Sequence, residues 1–107
     1  MTAYTITVKK NNHENREPVG AQRGYSLLVE MQRAGGDQTV KLHFTENKSV
    51  IDTLDEALGE FLRRMARAYD VAEVTITSAD YTLNLAQQTT LKEKYELETQ
   101  INTITFA

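Results

Sequence analysis

Four acids in this chain carry the groups that bind divalent cations: Asp52, Asp55, Glu56 and Asp80. Clustered carboxylates are hard oxygen donors and can hold a divalent metal ion. Three of them crowd one short stretch, which is also where a helix start gathers acids against its dipole. On that reading Asp80 is a helix cap, and the sequence favours it over a metal site. Arg63, Arg64 and Arg67 form a second cluster, which with Lys9, Lys10 and Lys41 could face a polyanion. A nucleic-acid footprint joins such charge to exposed aromatics, and Glu60 stands at ion-pair spacing from Arg64. The arginines therefore read as a solvated helix end. His13 and His43 are far apart and lack companions at metal-ligand spacing. The chain has no cysteine, which excludes thiolate ligands, cysteine nucleophiles and disulfides. It holds no glycine-rich phosphate loop, nucleophile elbow or zinc motif. The expectation is no catalytic residue, no metal and no cofactor.

The elements that must position these residues follow from periodicity. In VIDTLDEALGEFLRRMARAY, residues 50–69, Ile51, Leu54, Leu58, Phe61, Leu62, Met65 and Tyr69 recur at helical spacing. Ser49 followed by Asp52 marks the helix start, and Asp70 marks its end. Gly59 inside it suggests a close approach to a sheet. Residues 3–9 alternate, with Tyr4, Ile6 and Val8 on one face. Residues 10–23 read as a long polar loop. Residues 25–33 and 38–45 read as strands joined by a reversal at Ala34-Gly35-Gly36-Asp37. Tyr25, Leu27, Val29 and Met31 face inward, as do Val40, Leu42 and Phe44. Residues 71–78 predict a strand parallel to one of the first three, because a helix crosses over between them. Residues 80–88 fit either a period of two or a helix capped by Ser78 or Asp80. Thr90-Leu91-Lys92-Glu93 resembles a capping box and favours a helix over 80–98. INTITF, residues 101–106, is the last strand.

At 107 residues the chain is one domain, 1–107. An apolar fraction of 40%, a charged fraction of 25% and a net charge of −3 give no broad pull toward nucleic acid or an anionic membrane. The N-terminus lacks the basic start and apolar run of a secretory signal. No window approaches the roughly 18 apolar residues that span a bilayer. These features predict a cytoplasmic protein with no membrane partner.

The order β-β-β-α-β-α-β resembles a small ribonuclease H-like α/β domain over roughly residues 3–106. The resemblance rests on the three-stranded antiparallel meander with its Gly-Gly turn, on TENKSVIDTLDEALGEFL (45–62), and on VAEVTITSADYTLNLAQQ (71–88). It implies a mixed sheet and, in active members, carboxylates holding two divalent cations. Those carboxylates come from the first strand, the start of the first helix and the end of the fourth strand. Here the first strand has no acid, the helix position falls on Val50 and the strand-end position on Ala79. Asp52 and Asp80 are displaced from the matching positions, so the resemblance implies a version without the active site.

The outer sheet face would carry Thr5, Thr7, Ser26, Leu28, Glu30, Thr39, Lys41, His43, Thr75 and Thr77, too polar for a second helical layer. It reads either as a solvated face or as a docking face centred on Leu28. The candidate binding residues are Leu28, Lys41, His43, Arg63, Arg64, Arg67 and Asp80. The expected function is a non-catalytic binding or interaction module, its small build in keeping with a phage or mobile-element origin. The expected partner is a protein or a second copy, with nucleic acid a weaker candidate. The alternatives are a metal-dependent nuclease with rearranged carboxylates, or a small inhibitor or regulator acting through a sheet face or edge.

Overall fold

The computed structural model describes residues 2–11, 26–44, 49–66, 71–78 and 83–107. Alternating β-branched and apolar residues build β1 (Thr2–Asn11), β2 (Ser26–Arg33) and β3 (Thr39–Phe44), joined as an antiparallel meander. The β2–β3 reversal needs one residue at positive φ, and Gly35 supplies it at 76°. The Gly36 N–H then donates to the Arg33 carbonyl at 2.9 Å. The predicted long loop falls almost wholly outside the described residues, and β1 takes residues 10 and 11 from it.

Helix α1 (Val50–Arg64) starts as its sequence predicts: the Ser49 hydroxyl accepts from the Asp52 N–H at 3.2 Å. It is shorter than its apolar stripe suggests. The N–H groups of Met65 and Ala66 both take the Phe61 carbonyl, at 2.9 and 3.0 Å, which closes the helix. Tyr69 and Asp70 lie outside the described residues. The buried face is Thr53, Leu54, Ala57, Leu58 and Phe61, with Ile51, Leu62 and Met65 half-buried beside it. Gly59 is not a point of close approach. A Cβ there would meet only the Arg63 guanidinium, at 3.6 Å.

β4 (Ala72–Ser78) pairs parallel with β1, and β5 (Ile101–Phe106) pairs parallel with β4. The mixed sheet has the order β3-β2-β1-β4-β5. Between the last two strands lies α2 (Leu85–Glu96). Its cap is neither Ser78 nor Asp80, and Thr90 does not open it. Asn84 and Gln87 form the capping box, each side chain meeting the other's backbone N–H, at 2.8 and 3.1 Å. Thr90 sits mid-helix and its hydroxyl donates to the Ala86 carbonyl at 2.9 Å.

Both helices pack on one face of the sheet and share its core. Ile6, Val8, Val29, Met31, Val74, Ile76, Ile101 and Ile104 lie beneath Leu54, Leu58, Phe61 and Leu91. Tyr4 meets Phe61 edge to face, with ring centroids 4.7 Å apart. Among the described residues no helix is long and apolar enough to cross a membrane.

Candidate functional site

Strand alternation sends every second residue to the face opposite α1 and α2. Pairing lays these residues out in rows. One row runs Thr39, Gln32, Thr5, Thr75, Thr105 across all five strands. The next runs Lys41, Glu30, Thr7, Thr77, and a third runs His43, Leu28, Lys9. The Thr77 hydroxyl donates to Thr7 at 3.2 Å. Lys9 Nζ reaches Glu30 at 2.6 Å, with Lys41 on its other side at 4.0 Å. The bond from Lys9 outweighs partial burial and holds the Glu30 carboxyl below its ordinary value.

Three of the seven candidate residues therefore share one corner of this face. Leu28 and His43 are directly paired, and Lys41 is the next outward residue of β3. Arg63 and Arg64 are on α1, on the opposite side of the sheet. Both engage Glu60, Arg64 Nε at 2.7 Å and Arg63 Nε at 3.0 Å. Arg67 and Asp80 lie outside the described residues, as does His13. The acids of α1 do not converge. Asp52 and Glu56 are exposed, while Asp55 accepts from Lys94 Nζ at 2.8 Å and from the Tyr95 hydroxyl. Burial would raise the Asp55 carboxyl, but these two bonds outweigh it and lower it. The Tyr95 hydroxyl is pushed up, first by burial and then by Asp55. Among the described residues no three His, Cys, Asp or Glu side chains are grouped as metal ligands.

Sequence reasoning missed the contribution of β5 to the open face, Thr103 and Thr105. A signal was present. Thr-Ile-Thr occurs at residues 5–7, 75–77 and 103–105, and in each case the isoleucine is buried beneath two outward threonines.

The two edges of the sheet differ. At β5 the peptide of Ile104 points away from β4. Its carbonyl accepts from Lys92 Nζ and its N–H donates to Glu96 Oε2, both at 2.7 Å. Lys92 and Glu96 also pair with each other at 2.9 Å. Burial would raise the Glu96 carboxyl; the Ile104 N–H and Lys92 outweigh it and hold it low. A clamp from α2 thus occupies that edge. At the other edge β3 has β2 as its one strand neighbour among the described residues. Its inner row, Val40, Leu42 and Phe44, is half-buried, and Lys41 and His43 are exposed.

Ligands of open α/β sheets collect at the carboxyl ends of the parallel strands. Here that end holds a cavity of about 180 Å³. Val50, Leu54, Ile76, Leu83 and Phe106 line it, with Ser78 and Gln88. Gln88 Nε2 donates to the Leu83 carbonyl at 2.9 Å. Ala107 completes the lining, no described side chain in it is a carboxylate, and Val50 stands where the resemblance would place a glutamate. No protein-family model, curated protein or solved structure matches the chain.

Proposed function

We propose that this chain is a non-catalytic interaction module of ribonuclease H-like architecture that pairs with a second copy through β3. The ribonuclease H-like reading is supported by an antiparallel meander followed by two parallel strands, in the order β3-β2-β1-β4-β5. The non-catalytic reading is supported by the lining at the strand ends, which among the described residues is mostly apolar and has no Asp or Glu.

The observation that carries the proposal is the contrast between the edges. One is clamped by Lys92 and Glu96, while the other presents a row of half-buried apolar side chains. A strand with one strand neighbour among the described residues is a template for a further strand. Antiparallel pairing of β3 with itself about Leu42 is self-complementary, as a two-fold contact requires. Leu42 meets the partner's Leu42 and Val40 meets the partner's Phe44, both on the helix side. Lys41 meets the partner's His43 on the open side. The two sheets become one of ten strands.

Sedimentation of the whole chain over a concentration range tests this. The expected result is a monomer–dimer equilibrium that Leu42→Lys shifts at least tenfold toward monomer with the fold intact. A monomer at all concentrations, or a dimer unaffected by Leu42→Lys, overturns the β3 reading. The non-catalytic part is tested on RNA–DNA hybrid with Mg²⁺ or Mn²⁺. No cleavage is expected, and cleavage abolished by Asp80→Asn overturns it.

A further inference from the structure

The end of the sheet opposite the apolar cavity holds a groove of about 540 Å³, between the turn at residues 34–38 and the C-terminal end of α1. Tyr4 forms part of its lining. Its ring is packed on Phe61 and the residue is 3% exposed. Its hydroxyl makes no hydrogen bond to a described residue. Arg33, opposite Tyr4 on β2, is half-buried and forms no ion pair with a described carboxylate. Its guanidinium lies over Gly36, where a Cβ would come within 3.7 Å of Nε. Arg64, which gives its Nε to Glu60, also lines the groove. Val40, Met65 and Ala66 add an apolar wall, and Asp37 is the one acid of the lining among the described residues.

A half-buried arginine with no carboxylate partner among the described residues is a costly arrangement unless a counter-ion joins it. Guanidinium donors match the oxygens of a carboxylate or phosphate, and a phenol hydroxyl can donate a further bond. The volume is that of a small-molecule site. We infer that this groove binds a small organic anion, a carboxylate or phosphate monoester on an apolar body, with Arg33, Arg64 and the Tyr4 hydroxyl on the head and Val40 and Met65 on the body. Asp37, the one acid of the lining among the described residues, disfavours more highly charged ligands such as polyphosphates.

Benzoate and phenyl phosphate are the probes, with inorganic phosphate as the bare head. Each is titrated into the full chain while the Arg33 side-chain Nε–H and the Gly36 amide are followed by ¹H–¹⁵N NMR. At least one aryl probe is expected to give saturable shifts at both positions, binding several-fold tighter than inorganic phosphate. Saturation by benzoate alone assigns a carboxylate ligand, and by phenyl phosphate alone a phosphate ester. Arg33→Met, which keeps the aliphatic stem, should weaken binding at least tenfold, and Tyr4→Phe about threefold. Should Arg33→Met unfold, Arg64→Met at the exposed helix end provides the same comparison. No saturable shift with either aryl probe, or equal binding by the folded arginine variant, overturns the proposal.

Discussion

Among the described side chains, Thr53 holds the buried polar atom with no hydrogen-bond partner. The Ser49 carbonyl takes the Thr53 N–H at 3.0 Å, while the hydroxyl itself is left in the core. An unpartnered hydroxyl costs about 1–3 kcal/mol to bury. Thr53→Val keeps the shape and removes that cost, so we expect about 1 kcal/mol of added stability in urea unfolding. A loss would mean that the hydroxyl has a partner. Gly59→Ala is the companion case. The new methyl meets the Arg63 guanidinium at ordinary contact distance, so the gain should be about 0.5–1 kcal/mol, from helix propensity and a less mobile unfolded chain. The acids act through pH. Glu30, Asp55 and Glu96 are all held below their ordinary values by bonds to Lys9, to Lys94 and Tyr95, and to Ile104 and Lys92. A depressed carboxyl contributes stability that is complete above its unfolded value and is lost as pH falls through its folded value. The melting temperature should therefore hold near neutrality and fall below about pH 4. Glu96→Gln should make that fall shallower; an unchanged slope would show that the Glu96 bonds do not contribute.

At the scale of elements the two helices contrast. In α1 the apolar residues keep helical spacing and their buried members, Leu54, Leu58 and Phe61, are the predicted ones. Phe61→Ala should cost about 3–5 kcal/mol, because the ring is fully buried and also removes its contact with Tyr4. A cost under about 1 kcal/mol would mean that α1 is not what covers the sheet. The pattern that makes α1 legible is missing from α2, which buries Leu91 and Tyr95 while Leu85 and Leu97 are 77% and 79% exposed. With no clean stripe, the helix start rests on local chemistry, and Thr90 with Glu93 imitates the box that Asn84 and Gln87 form. Asn84→Ala should cost about 1 kcal/mol, read by chemical unfolding, whereas Thr90→Ala should cost less, since its hydroxyl serves only the Ala86 carbonyl. The same distinction governs the candidate site. Alternation alone places Leu28, Lys41 and His43 outward, because a half-buried strand exposes every second residue. It cannot place Thr103 and Thr105 beside Glu73 and Thr75. That register depends on a long crossover and on a shift at Ala72/Glu73, which no local spacing encodes.

For the whole molecule, the decisive property is how many open edges one sheet offers. A sheet with one open edge closes as a two-fold dimer and stops, whereas a sheet with two can add copies at both ends. Among the described residues, two side chains cover one of the two edges. Lys92 and Glu96 bind the carbonyl and N–H of Ile104 and each other, so the middle of the β5 edge is already satisfied. Lys92→Met with Glu96→Gln keeps the side-chain lengths while removing the charge pair and weakening both backbone bonds. If β3 is the docking edge, the double variant gains a second one. We expect sedimentation to move from the monomer–dimer equilibrium to species larger than a dimer, growing with concentration. The Ile104 amide should at the same time lose protection from hydrogen exchange in dilute samples, where no partner covers it. Adding Leu42→Lys to the double variant closes the β3 edge and should return assembly to dimers at most. A double variant that matches the parent chain in size and in Ile104 protection would show that the clamp does not guard the edge. Larger species that persist with Leu42→Lys would place the growing contact somewhere other than β3.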